Sequence, residues 1–178
     1  MTAPDHRIRL AGNEASFACA ADDTMLRAAQ RAGLGFPYEC NVGSCGNCRF
    51  ELVEGEVQVQ WGEAPALSDK DRQRKRYLGC QTRPAGDCTI KLRLEPRCEP
   101  PHRPQRLAAV LERSRPLTHD MSEFRFVLER PQRFEPGQYA LAYLPGVTGA
   151  RAYSMSNTAG DGLVWEFIVR RQPGGAGS

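Results

Sequence analysis

FPYECNVGSCGNC, residues 36–48, is the stretch on which the reading of this chain turns. It is poor in bulky aliphatic residues, is punctuated by Gly43 and Gly46, and sets Cys40, Cys45 and Cys48 in a C-x4-C-x2-C pattern. Such a segment is expected to be a tightly wrapped loop rather than a helix or a strand. Cys80 follows Cys48 after 31 intervening residues, inside YLGCQTRP at 77–84. The cysteines number seven, and the N-terminal MTAPDHRIRL carries charge without the apolar stretch of a secretory signal. A disulfide framework suits that context poorly, so a metal centre is the better expectation.

Three thiolates from one loop and a fourth from a distant segment is the ligand spacing of plant-type [2Fe–2S] centres. Each iron needs two thiolates besides the bridging sulfides, so four anionic sulfurs must converge on a compact rhomb. Gly43 and Gly46 let the loop turn backbone N–H groups toward sulfur, which offsets part of the negative charge. Zinc is the rival, but its structural sites favour two close pairs such as C-x2-C twice. Cys45 and Cys48 form one such pair, whereas Cys80 has only Cys88 beyond seven residues. Cys19 and Cys88 fall at strand ends and read as core cysteines, and Cys98 as a bystander thiol.

Outward from the loop, residues 7–19 read as two strands joined near Gly12-Asn13, with Ile8, Leu10, Phe17 and Cys19 facing inward. Asp22 and Asp23 can cap a helix starting near Thr24, with Met25, Leu26, Ala28, Ala29 and Ala32 as its buried face and Gly33 as its stop. Arg49–Val53 and Glu56–Gln60 alternate about Glu54-Gly55 and read as a hairpin. A short polar helix is expected from Ser68 or Asp69 to Arg76. Its segment 69–76 holds five basic and two acidic residues, a solvated face or part of a docking surface. Thr89–Leu94 closes the region as a strand. Residues 1–95 thus predict a small α+β domain. Pro96, Pro100, Pro101 and Pro104 mark 96–104 as a linker. Residues 105–178 predict strands at 105–113, 123–129, 138–144 and 163–170, the first part of an antiparallel β-barrel, incomplete at the C-terminus.

FPYECNVGSCGNC with YLGCQTRP resembles the plant-type ferredoxin family of β-grasp fold. In particular it resembles the N-terminal [2Fe–2S] domain of NADH-dependent reductases serving bacterial multicomponent oxygenases, with Cys40, Cys45, Cys48 and Cys80 as the implied ligands. RAYSMSN, residues 151–157, resembles the Arg-x-Tyr-Ser motif of the FAD-binding domain in the ferredoxin–NADP reductase superfamily. The resemblance implies that Arg151 meets the FAD pyrophosphate, that Tyr153 lies against the flavin, and that Ser154 hydrogen-bonds near flavin N5. Gly174, Gly175 and Ser178 of GGAGS match the family's Gly-Gly-x-x-Ser segment, which helps hold the pyrophosphate. Gln138 and Tyr139, after Pro136-Gly137, match the strand leading into the flavin site.

The implied function is the reductase component of a mono- or dioxygenase acting on aromatic or other hydrocarbons. Electrons would run from NADH through FAD to the [2Fe–2S] cluster and on to a terminal oxygenase or an intermediary ferredoxin. Nothing in the sequence resembles the family's nicotinamide-binding α/β domain, so this chain alone is not expected to turn over NADH. Two other readings remain: a stand-alone [2Fe–2S] carrier without flavin activity, and a zinc-stabilised interaction module. Charge argues against a nucleic-acid partner: residues 1–100 hold 14 Lys/Arg against 14 Asp/Glu, and the remainder 10 against 7. No run reaches 18 apolar residues, so no transmembrane segment is expected and the cytoplasm is the expected location.

Overall fold

A computed structural model describes residues 5–147 and 150–175. The chain divides into two compact units, residues 1–104 and 105–178. The first unit contains β1 (Asp5–Leu10), β2 (Ser16–Ala20), α1 (Met25–Arg31), β3 (Arg49–Glu54), β4 (Val57–Val59), α2 (Asp69–Gln73), β5 (Arg76–Leu78), β6 (Thr82–Pro84) and β7 (Cys88–Lys91). Five of these strands make one sheet in the order β2-β1-β7-β3-β5. Its β1 and β7 run parallel, and every other neighbouring pair is antiparallel. Alternation puts Ile8, Leu10, Phe17, Cys19, Phe50, Leu52 and Ile90 into the core, where Met25, Leu26, Ala28 and Ala29 of α1 cover them. This is the β-grasp arrangement that the resemblance implied.

The helix differs from expectation at both ends. Thr24 occupies the N-cap without a side-chain cap bond, while the buried Asp23 accepts from the Thr24 amide at 2.8 Å and pairs with Arg31 in the last turn. Ala32 is exposed, because Gly33 at φ +80° ends the helix and turns the last residue out. Ser68 does cap α2, in a reciprocal box with Asp71. Asp71 also faces Arg49 at 3.8 Å and Arg76 at 3.5 Å, which ties α2 to β3 and β5. The helix stops at Gln73, short of Arg76, since Lys75 takes φ +51° and Arg76 already opens β5. The last strand spans Cys88–Lys91 rather than 89–94.

The expected hairpin between β3 and β4 does not form. Both edges of β3 are taken, by β5 at Arg49–Glu51 and by β7 at Glu51–Glu54. Gly55, at φ +94°, passes so close to β7 that a Cβ there would stand 2.4 Å from the Asp87 carbonyl oxygen. The chain therefore crosses over, and β4 pairs instead with β6, Val57 opposite Pro84 and Val59 opposite Thr82. Residues 96–104 also depart from a free linker. The Glu95 amide donates to the Gly35 carbonyl at 2.8 Å, a one-turn 3-10 segment covers Pro96–Cys98, and the Arg103 guanidinium lies on Gly33. That stretch is a strap on the first unit.

The second unit contains β8 (Ala109–Pro116), β9 (Met121–Leu128), β10 (Tyr139–Ala142), β11 (Arg151–Ser154) and β12 (Val164–Arg170). They form an antiparallel sheet β12-β9-β8 and an antiparallel ribbon β10-β11, joined by a bridge between Met155 and Phe167. The strand expected at 105–113 begins at Ala109 and runs on to Pro116. Phe167 is its buried centre, in ring contact with Phe126 at 5.9 Å and Tyr153 at 6.3 Å. Arg125 on β9 bridges Glu112 of β8 and Glu166 of β12, at 2.5 and 2.7 Å, so one guanidinium spans all three strands.

Leu26 is fully buried against the first sheet, whereas Val53 on β3 is 53% exposed. Leu26→Ala is expected to cost about 2–5 kcal/mol, and Val53→Ala less than about 0.5 kcal/mol. Urea unfolding followed by far-ultraviolet circular dichroism measures both.

Candidate metal centre and flavin site

The sequence separation between the cysteine loop and Cys80 is closed by the sheet. Register pairs Arg49 with Leu78, and one residue beyond, the Gly79 amide donates to the Cys48 carbonyl at 2.7 Å. Phe36, fully buried at the loop's entry, sets its ring edge-on to Phe50 and packs on Gly79, where a Cβ would lie 2.7 Å from Phe36 Cζ. The Cys48 and Cys80 sulfurs consequently lie 3.4 Å apart, both buried.

Cys40 is organised by backbone. Asn41 at φ +53° and Gly43 at φ +89° curl the loop around it, and its Sγ accepts from the amides of Val42 (3.5 Å), Ser44 (3.4 Å) and Cys45 (3.4 Å). Burial pushes this thiol up, but those amides outweigh it and bring it down to about 7, with the Cys45 thiol also bonding to it. In the second pair, the Cys80 thiol lowers Cys48, while the Cys48 sulfur and burial together raise Cys80 against a donated Gly43 amide. The thiols thus come as two pairs, Cys40 with Cys45 and Cys48 with Cys80.

Two pairs are what a binuclear cluster takes, two thiolates on each iron. Among the described residues no three His, Cys, Asp or Glu side chains converge as donors for one ion. The two pairs of thiols fit a [2Fe–2S] rhomb. Of the other cysteines, Cys19 and Cys88 are core residues; burial pushes Cys19 up to about 12 and raises Cys88 as well. Sequence reasoning passed over Asn41, buried beside Cys40 with no hydrogen-bond partner for its Oδ1, and Phe36 with Gly79. Asn41 had a legible signal: among non-glycine residues Asn is one of the few that enter the left-handed region readily.

In the second unit, the β10-β11 ribbon sets Tyr139 opposite Ser154 and Ala142 opposite Arg151. Gly137 at φ +87° starts the ribbon, and the Gln138 carbonyl receives the Met155 amide at 3.4 Å. Arg151 and Tyr153 share one strand face and are half-buried; Ser154 falls on the other face and is exposed. The three residues thus lie on one strand, as the sequence reading had them, with two on one face and one on the other. Gly174 and Gly175 lie in an exposed turn after β12, closed by the Gly175 amide on the Gln172 carbonyl at 2.9 Å. Ser178 lies outside the described residues.

Comparison with known proteins agrees with both halves. Residues 8–85 match the family described as 2Fe-2S iron-sulfur cluster binding domain, and residues 108–178 the family described as oxidoreductase FAD-binding domain. The chain thus matches a [2Fe–2S] family over one stretch and an FAD-binding family over the next. More particularly, its relatives are ferredoxin reductase components of oxygenase systems. It is 39% identical over 174 residues to ferredoxin–NAD(P)(+) reductase CarAd of Metapseudomonas resinovorans, covering 96% of this chain and 52% of the relative. It is 41% identical over 165 residues to the ferredoxin–NAD(+) reductase component of the alkene monooxygenase system of Xanthobacter autotrophicus, covering 92% and 50%. Among solved structures, the ferredoxin reductase in carbazole 1,9a-dioxygenase superposes with a TM-score of 0.88 at 37% identity, covering 98% of this chain and 55% of that one. The chain spans about half the length of the relatives it matches.

Gly79 is the tightest point of the cluster site. Gly79→Ala is expected to push Phe36 off the loop entry, costing about 1–3 kcal/mol as an overpacked core position does. Thermal unfolding reads the loss, and iron content per chain should fall with it.

Proposed function

We propose that this chain is the cluster- and flavin-bearing portion of an NADH-dependent reductase that feeds single electrons to an oxygenase. The observation that carries the reading is the pairing of four thiols in two sets, one of them enclosed by three backbone amides. Cys40 and Cys45 would hold one iron, Cys48 and Cys80 the other. When bound, FAD takes up two electrons as hydride and a [2Fe–2S] cluster hands them on singly. The chain's own residues orient and stabilise rather than react: no side chain is needed as acid, base or nucleophile. The amides of Val42, Ser44 and Cys45 hold negative charge at the Cys40 sulfur. Arg151 offers its charge to the pyrophosphate, with Gly174, Gly175 and Ser178 assisting. Tyr153 gives the flavin a ring to lie on, and Ser154 a hydroxyl.

The electron acceptor would be a terminal oxygenase component or an intermediary ferredoxin of a system acting on aromatic or other hydrocarbons, as in the relatives named above. No helix among the described residues is long and apolar enough to cross a membrane. Cys19, Cys88 and Cys98, the cysteines outside the ligand set, form no disulfide, which fits a reducing compartment and supports placement in the cytoplasm.

Purified chain should be coloured and carry about two irons with matching acid-labile sulfide, together with FAD. Cys80→Ala is expected to lose iron and sulfide yet keep the flavin. Arg151→Ala should weaken FAD binding by about 1.5–3 kcal/mol, the worth of a hydrogen bond to a charged group, with the cluster spectrum unchanged. Metal and sulfide analysis with a flavin fluorescence titration checks all three. A colourless chain holding one zinc and no sulfide would overturn the reading.

A further inference from the structure

The β4-β6 ribbon delivers a side chain to the cysteine loop that the ligand set alone does not explain. The Gln60 amide donates to the carbonyl of Gln81 at 2.8 Å, one residue past Cys80, and Trp61 follows directly. The Trp61 indole lies on Gly43: a Cβ at Gly43 would stand 3.0 Å from Cε3 and 3.3 Å from Cζ3, with Gln81 Cγ at 3.1 Å on the same side. Gly43 holds φ +89° inside the loop between Cys40 and Cys45. Indole and glycine thus stack at the cysteine loop, beside the segment that carries Cys80. Trp61 is nevertheless 42% exposed, a large aromatic surface left in water by a residue outside the hydrophobic core.

Here the ring's inner face is used against a main-chain segment that only glycine can form at that distance. With the ring in place, Gly43 is buried and its backbone is held in that left-handed conformation. With the ring removed, the glycine regains its conformational freedom and the amide can turn to solvent. We propose that Trp61 is a positioning residue for the cluster: it clamps Gly43 over the Cys48/Cys80 pair and shields the metal from water and chelators. The inference rests on the [2Fe–2S] reading of the four cysteines.

The test uses holo chain with Trp61→Ala and Trp61→Phe, following cluster absorbance in air with excess EDTA. Trp61→Ala is expected to bleach about tenfold faster, as loss of an outer-shell contact does, and Trp61→Phe to stay within about twofold of the parent. The melting temperatures of the apo chains should match, which separates clamping from a general loss of stability. Should Trp61→Ala fail to accumulate, Trp61→Leu carries the same comparison with Trp61→Phe. Parent-like bleaching in Trp61→Ala or Trp61→Leu overturns the proposal, as does acceleration by Trp61→Phe equal to that of the smaller variant. Parent chain lacking iron and labile sulfide instead defeats the cluster reading itself, and that analysis precedes any variant.

Discussion

One backbone hydrogen bond, from the Gly79 amide to the Cys48 carbonyl at 2.7 Å, carries the geometry of the first unit's site. It continues the β3-β5 ladder by one step past Leu78 and so converts a long chain separation into a sulfur–sulfur distance of 3.4 Å. The loop between closes at a modest entropic cost, since that cost grows only with the logarithm of loop length. What the arrangement does demand is the absence of a side chain at position 79, because the buried Phe36 ring occupies that space. Core packing and ligand placement are therefore one event: the contact that seals the hydrophobic interior also delivers the fourth cysteine.

Gathering anionic sulfurs in a partly desolvated place runs against electrostatics. The loop answers with main chain rather than with cationic side chains. Three consecutive-region amides surround Cys40, and a fourth faces Cys80. Of the basic residues of 70–76, Arg72 holds Asp69 at 2.9 Å and Arg76 reaches Asp71 and Glu51. Fixed peptide dipoles are suited to this work because they stabilise charge without reorganising when it changes.

Much of this was legible in the residues themselves. The cysteine spacing, the two loop glycines, the inward alternation of Ile8, Leu10, Phe17 and Cys19, and the apolar face of α1 all depend on local periodicity, which sequence displays directly. The pairing of β4 was not legible, because adjacency in the chain suggested a hairpin while long-range partners had already filled both edges of β3. Trp61 went unnoticed for the same reason: without the β4-β6 ribbon nothing ties QWG to the cysteine loop. In the second unit RAYS was readable as a strand, and the two-residue repeat of a strand puts Arg151 and Tyr153 on one face and Ser154 on the other. Ala32 failed at a helix end, where a single glycine decides which way the last residue turns.

The strap formed by residues 95–104 bears on how this protein should be cut. A Cβ at Gly35 would sit 2.1 Å from the Glu95 carbonyl oxygen, and Arg103 rests on Gly33, so the proline-rich stretch is seated on the glycines that end α1 and lead into the cysteine loop. An excised cluster module trimmed at residue 95, where composition alone puts the boundary, would shed this cover and bare the approach to Cys40. A boundary placed after Pro104 leaves the cover in place.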